Sequence, residues 1–238
     1  LCKLIDKTKF AISMEETRYY LNGIYIHKHD KKLIAVATDG HRLARTSISL
    51  PSGADLISGV IIPRKAIYEI RKLIEDYSHD DEVSISLSDS KIRIKISNTI
   101  ITSKLIDGNF PDYEKVIPKD NVNIVNLDCL VFSESVDRVS TIFSDKSKSV
   151  RLSLSANKLS LEANSPDTGS ASEEIEIIYD KDDISIGFNS RYLLDVTSQI
   201  GSGDLIMALK DSGSPALISL PNDSESLFVL MPMRVWYF

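Results

Sequence analysis

Twice in this chain an apolar strand runs straight into an amphipathic helix, and the two junctions, Ile62-Pro63 and Phe188-Asn189, lie 126 residues apart. This repeat restricts the fold more than any other feature, because the same order of elements surrounds both junctions: helix, strands, strand into helix, three strands. In the first half Val60-Ile61-Ile62 leads into Pro63, whose missing N–H suits a helix start, and Ile67, Ile70 and Ile74 recur at helical spacing. In the second half Ile184, Ile186 and Phe188 alternate, Asn189 or Ser190 supplies a cap, and Leu193, Val196 and Ile200 face the core. Further helices are expected over 1–9, with Leu1, Leu4, Ile5 and Thr8 on one face, and over 127–143, with Phe132, Val136, Val139 and Phe143 in line. Strands are expected at 10–13, 23–29, 33–38, 42–49, 83–87, 91–96 and 99–106, then at 122–125, 149–155, 158–163, 172–179, 204–210, 214–220 and 227–231.

The fold class is α+β: two tandem repeats of about 120 residues, with antiparallel sheets and two helices per repeat on one face. The aperiodic stretch 107–118, with Gly108, Pro111 and Pro118, is the boundary. Domains of 1–117, including the linker 107–117, and 118–238 follow. The first helix opens without a cap, which points to an N-terminal part missing from this chain.

Charge is uneven. Residues 1–120 carry 19 basic and 17 acidic side chains and residues 121–238 carry 9 and 17, within a total of −6. Bulk charge therefore excludes a protein that coats nucleic acid nonspecifically, while leaving room for a local basic surface. No apolar run approaches the roughly 20 residues of a membrane helix, and Leu1 does not open a signal peptide, so the expected compartment is the cytoplasm. Cys2 and Cys129 have neither metal-ligand spacing nor the density of a disulfide scaffold.

The run 33–47, LIAVATDGHRLARTS, places a polar, partly cationic turn at the mouth of an apolar hairpin. Asp39 and His41 are close enough in sequence for an acid–base pair, with Thr46 or Ser47 as nucleophile, but an i, i+2 pair across a turn more often shapes the turn, and no serine elbow is present. His27 and His29 share a strand face and are metal candidates with His41 or His79, although the surrounding lysines read as the wet end of a hairpin. Gly201-Ser202-Gly203 lacks the lysine and spacing of a phosphate loop. Basic residues on the four helices form a surface suited to phosphate, and solvated helices carry such faces in any case.

Five motifs stand in order along the chain: Arg18-Tyr19-Tyr20-Leu21-Asn22-Gly23, Ala37-Thr38-Asp39-Gly40-His41-Arg42-Leu43-Ala44, Ser103-Lys104-Leu105-Ile106-Asp107-Gly108, Phe110-Pro111-Asp112-Tyr113 and Met231-Pro232-Met233-Arg234. Together they closely resemble the sliding clamps, the beta subunits of bacterial DNA polymerase III. The resemblance covers the second and third of that family's three domains. It implies two tandem DNA-clamp domains with sheets outside and helices on the inner face, in a ring of two subunits around duplex DNA. It also implies a non-enzymatic replication processivity factor without cofactor or metal, whose DNA contacts are nonspecific and salt-sensitive. The implied partners are duplex DNA, the DNA polymerase III alpha subunit, the clamp loader and other proteins with clamp-binding motifs, with a homodimer ring at full length and no membrane. A non-DNA peptide-binding module of the same repeat is the alternative.

Carried over residue by residue, the resemblance assigns a partner-peptide groove to Leu21, Thr38, Gly40, His41, Arg42, Leu43, Pro111, Val116, Pro215, Val229, Met231, Pro232, Met233 and Arg234. It assigns the DNA-facing side to Lys3, Lys7, Arg18, Tyr19, Tyr20, Arg64, Lys65, Arg71, Lys72, Arg138 and Arg191. Glu15 and Glu16 precede Arg18 and oppose a strong contact there. The absent first domain removes one ring-closing surface, so this chain is expected not to close the ring alone. Trp236-Tyr237-Phe238 extends beyond the Met-Pro-Met-Arg run and is expected to lie in or beside the groove and compete with partner peptides.

Overall fold

A computed structural model describes residues 1–77, 82–143 and 149–233. The chain divides into two compact units, Leu1–Tyr113 and Glu114–Phe238. His79, Arg234 and Trp236-Tyr237-Phe238 lie outside the described residues.

In unit 1, helix α1 (Cys2–Asp6) is followed by β1 (Gly23–His29), β2 (Lys32–Thr38), β3 (Arg42–Ser49), β4 (Val60–Pro63), α2 (Arg64–Glu75), β5 (Val83–Leu87), β6 (Lys91–Ile96) and β7 (Thr99–Lys104). Four strands are ordered β4-β1-β2-β3 and three are ordered β5-β6-β7, every pairing antiparallel. β2 is buried on both faces from Leu33 to Thr38, as its unbroken apolar run requires. β6 alternates strictly, with Ile92, Ile94 and Ile96 buried and Lys91, Arg93 and Lys95 exposed.

In unit 2 the series is β8 (Asn123–Asp128), α3 (Cys129–Ser140), β9 (Ser149–Ser155), β10 (Lys158–Ser165), β11 (Gly169–Glu176), β12 (Ile184–Asn189), α4 (Ser190–Ile200), β13 (Asp204–Leu209), β14 (Ala216–Leu220) and β15 (Asp223–Leu230). The strands are ordered β11-β10-β9-β12 and β8-β13-β14-β15. α3 packs against α4 and across β9, β10 and β11. The largest fully buried side chains of this unit are Phe132, Phe188 and Phe228.

The repeat is real at the level of elements. α2 and α4 begin at Arg64 and Ser190, 126 residues apart, each directly after a strand. The caps differ in chemistry. Asn189 accepts from the Arg191 N–H at 3.0 Å, and Asp128 accepts from Val131 N–H at 2.9 Å to start α3. Pro63, expected in the first turn of α2, instead ends β4 as the residue before the helix, with ψ at 146°, while the Arg64 N–H donates to the Asn22 carbonyl at 2.9 Å.

Several expected bounds move. The helix expected over 1–9 is only Cys2–Asp6, and the strand expected at 10–13 is replaced by a 3-10 turn, Lys9–Ala11. The Thr8 hydroxyl donates to the Leu4 carbonyl at 2.6 Å, and the Phe10 carbonyl is taken by Arg42, so Phe10 joins no ladder. The helix expected from 127 begins at Cys129, because Leu127 and Asp128 complete the pairing of β8 with β13. β11 begins at Gly169 rather than 172, where the expected loop is closed by pairing of Ser165 with Gly169.

Candidate functional site

The turn between β2 and β3 is organised by one carboxylate. Oδ1 of Asp39 accepts from the backbone N–H of His41 at 2.9 Å and of Arg42 at 3.0 Å, and Oδ2 accepts from Arg42 Nε at 3.1 Å. Thr38 closes the opposite side: its hydroxyl donates to the Arg42 carbonyl at 2.6 Å and accepts from the Gly40 N–H at 3.1 Å. Asp39 thus holds the backbone of His41, and the candidate acid–base pair becomes a turn cap. His41 itself projects to solvent.

Arg42 reaches back across the turn. Its Nη2 donates to the Phe10 carbonyl at 2.7 Å and its guanidinium sits 5.3 Å from the Phe10 ring centroid. Leu21 and Leu43 are buried beside this hairpin. Gly40 has φ of +89°, and a Cβ there would stand 2.4 Å from Nη1 of Arg18, so Arg18 lies over the hairpin turn. Arg18 is also paired with Glu15 at 2.8 Å. The structure therefore groups Arg18, assigned above to the DNA-facing side, with Thr38, Gly40 and Arg42.

An aromatic column fastens the 107–113 stretch to β1. The Phe110 ring stacks on Tyr25 at 4.8 Å, Tyr25 stacks on His27 at 4.9 Å, and His27 Nε2 is 2.9 Å from the Tyr113 hydroxyl. His27 Nδ1 lies 3.2 Å from the Lys28 carbonyl. Both ring nitrogens of His27 thus lie against protein oxygens. Among the described residues no group of three or more His, Cys, Asp or Glu side chains is placed to hold a metal ion. Sequence reading missed this column, though the alternation of Tyr25 and His27 on one strand face and the Phe110-x-x-Tyr113 spacing were its signal. Pro111 in this stretch is exposed, as is Val116 in unit 2.

In unit 2, Pro215, Val229, Met231, Pro232 and Met233 gather at one end of the β14–β15 pair. Ala216 faces Leu230 in register, which sets Pro215 and Met231 just beyond the ladder on adjacent chains. Val229 is buried, whereas Met231 and Met233 are 37% and 41% exposed. The Met233 N–H donates to the Gly187 carbonyl at 2.8 Å, so the chain past β15 is pinned across the edge of β12 with Pro232 between two exposed thioethers. Asn121 holds the other side by donating from Nδ2 to the carbonyls of Ala208 and Pro215 at 2.8 and 2.9 Å. Flexible, polarizable methionines on a fixed backbone suit contacts with varied apolar ligands.

Comparison with known proteins places both units. Residues 1–112 match the profile of the DNA polymerase III beta subunit, central domain, and residues 114–234 match that of its C-terminal domain. The chain belongs to the DNA polymerase III beta subunit family. It is 48% identical over 239 residues to the beta sliding clamp of Caulobacter vibrioides, covering 99% of this chain and 64% of that protein, and 40% identical over 235 residues to the beta sliding clamp of Pseudomonas putida. Among solved structures, the sliding clamp of Bartonella birtlesii bound to griselimycin superposes with a TM-score of 0.95 at 49% identity, covering 98% of this chain and 63% of that one. The sliding clamp of Pseudomonas aeruginosa gives 0.93 at 39% identity, over 98% of this chain and 63% of that one. The chain thus spans slightly less than two thirds of the length of these beta clamps.

On the helices of this beta-clamp chain the basic residues fall into two groups. Arg71 is tied to Asp6 at 2.8 Å and to Glu75 at 2.9 Å. Burial alone would raise the Asp6 carboxyl, but hydrogen bonds and charge from Arg71 and Lys9 outweigh it and hold it below its ordinary range. Arg138 is bound by Glu173 and by Glu134, and its hydrogen bonds lower Glu173 in turn. Arg64, Lys65 and Lys72 on α2 and Arg191 on α4 form no ion pair with a carboxylate among the described residues, while Lys3 and Lys7 lie in and just after α1. Tyr19 and Tyr20 meet edge to face at 5.8 Å, beside Gly108. No helix of the described residues is long and apolar enough to cross a membrane.

Proposed function

We propose that this chain is the middle and C-terminal part of a sliding clamp, a non-catalytic processivity factor that holds polymerase and other proteins at duplex DNA in the cytoplasm. The observation that carries the reading is the serial match of central and C-terminal beta-subunit domains over 1–112 and 114–234. In this reading residues 1–117 and 118–238 are the two clamp domains. Leu21, Thr38, Gly40, His41, Arg42, Leu43, Pro111, Val116, Pro215, Val229, Met231, Pro232, Met233 and Arg234 receive short linear motifs of the polymerase alpha subunit, the clamp loader and other clamp-binding proteins. Support comes from the rigid turn around Asp39 and the two exposed methionines pinned beyond β15. At full length the protein forms a homodimeric ring, and DNA is held by topology with weak phosphate contacts.

The test is titration of a labelled clamp-binding peptide against the chain and against Met231→Ala/Met233→Ala. Loss of one apolar anchor is worth about 1.5–3 kcal/mol, so affinity falls tenfold or more. An unchanged affinity refutes the groove. The ion pairing of Arg71 and Arg138 favours one rival, a peptide-binding module without DNA contact. It retains peptide affinity but shows no salt-dependent association with duplex DNA.

A further inference from the structure

Helix α2 carries Arg64, Lys65 and Lys72, and the opposite side of the same unit carries a second set of cations. On β6 the inward residues Ile92, Ile94 and Ile96 are buried, and Ile92 and Ile94 share their surroundings with Ile67 and Ile70 of α2. Lys91, Arg93 and Lys95 alternate with them and so stand on the face turned away from α2, about 7 Å apart along the strand. Register adds Lys104 of β7, directly opposite Lys91. All of these cations are exposed. β6 has β5 on one side and β7 on the other, so the charge and spacing of this face do not depend on what borders the sheet.

No carboxylate stands on this face of β5, β6 or β7. The cross-strand neighbours of the cations are Ser84, Ser86, Ile100 and Thr102, and among the described residues none of the cations is paired with a carboxylate. Unit 2 is built differently. There Arg151 of β9 is paired with Glu162 at 3.3 Å and Lys158 of β10 with Glu174 at 2.9 Å, each on the adjacent strand. Like charges directly opposite across a ladder are destabilising, so the stability of the sheet does not account for Lys91 against Lys104.

We propose that this face binds the phosphate backbone of duplex DNA, as a contact surface separate from the helices. The proposal rests on the reading above that the chain works at DNA. The cations on β6 span about 14 Å, over which a duplex presents about eight phosphates on its two strands. No aromatic side chain stands on this face for an unpaired base to stack on, so the occupant is a duplex and not a single strand. Ser84, Ser86 and Thr102 add hydroxyls that can donate to phosphate oxygens, and such contacts follow charge rather than sequence. An acidic peptide would answer the same charges, but the face offers it one large apolar anchor, Ile100.

Two measurements on the whole chain test this. Acetylation of lysines, read by mass spectrometry, is expected to fall at least threefold at Lys91, Lys95 and Lys104 when a duplex of about 20 base pairs is added at about 50 mM salt, and to recover at about 200 mM. A ten-glutamate peptide and a single strand of the same length are the comparison arms. Fluorescence anisotropy with Arg64→Ala, Lys65→Ala and Lys72→Ala as background isolates the sheet face. In that background Lys91→Gln, Arg93→Gln, Lys95→Gln and Lys104→Gln together are expected to lower the salt slope by up to about 3.6, about 0.9 for each cation, and the affinity at least tenfold, with the thermal melt by circular dichroism kept. Protection of Lys65 and Lys72 without protection of Lys91, Lys95 and Lys104 overturns the proposal and leaves the clamp reading standing. Absence of any salt-dependent duplex binding overturns both. Stronger protection by the glutamate peptide or by the single strand than by the duplex also overturns it. Should the fourfold variant fail to fold, the acetylation pattern of the unaltered chain decides alone.

Discussion

Replacing Asp39 by alanine removes three hydrogen bonds at once, two from the backbone N–H groups of His41 and Arg42 and one from the Arg42 guanidinium. Bonds to a charged acceptor contribute about 1.5–3 kcal/mol each, so a simple sum would exceed about 4 kcal/mol. The sum overstates the loss. His41 is exposed and its N–H regains water, and Arg42 keeps the Phe10 carbonyl and ring. What remains is the part-buried Arg42 N–H and a guanidinium whose side chain is 11% exposed. The expected destabilisation is about 2–4 kcal/mol for Asp39→Ala. Asp39→Asn keeps an oxygen for the two N–H groups and loses the charge, at about 1–2 kcal/mol. With a urea slope of about 2 kcal/mol/M, a loss of about 3 kcal/mol lowers the unfolding midpoint by about 1.5 M. If the turn opens locally, exchange of the Arg42 amide accelerates roughly 30- to 1,000-fold. A change below about 0.5 kcal/mol for alanine, or asparagine as damaging as alanine, would refute the view of Asp39 as the cap of this turn.

Three further outcomes are expected. Phe132→Ala, at a fully buried position of α3, destabilises unit 2 by about 3–5 kcal/mol in chemical denaturation, and a loss under about 1 kcal/mol contradicts the packing described. Arg64→Ala with Lys65→Ala lowers the salt slope of duplex DNA binding by about 0.9 for each phosphate no longer neutralised; Arg71→Ala changes it less, because Asp6 and Glu75 already take its charge, and equal effects would refute that ranking. The third concerns acid. Asp6 has a folded-state pKa below its unfolded value, so its contribution is full above about pH 4 and is lost as pH falls through the folded value. Wild type and Asp6→Asn should therefore differ in stability by up to about 1 kcal/mol near neutrality, discounted for partial exposure, and converge in strong acid; a gap that persists at low pH excludes the linkage.

Much of the fold was legible because it rests on short-range periodicity. Lys91 to Ile96 alternate so regularly that strand, face and burial follow from the letters alone, and Ile67 and Ile70 announce the inner face of α2 in the same way. The error at Phe10 arose because its carbonyl is claimed by Arg42, 32 residues later, an interaction with no local signature. The helix expected from 127 takes in Leu127 and Asp128, which pairing with Leu205 and Asp204 keeps extended. The candidate site divides in the same manner. Gly40 and Asp39 were visible as turn chemistry, whereas Arg18 over Gly40, and the column from Phe110 through Tyr25 and His27 to Tyr113, join residues that sequence keeps far apart.

Sequence by itself determined the repeat, the fold class and the family, since each is carried by patterns that recur at fixed spacing and by motifs read in order. Tertiary structure alone decided which polar groups have partners. Arg71 and Arg138 look like free cations in a helical pattern and prove to be held by carboxylates from their own helices and from α1 or β11. It also joined Asp6 to Arg71 across 65 residues. Such an ion pair leaves no local signature, because its two side chains belong to elements that only the fold brings together.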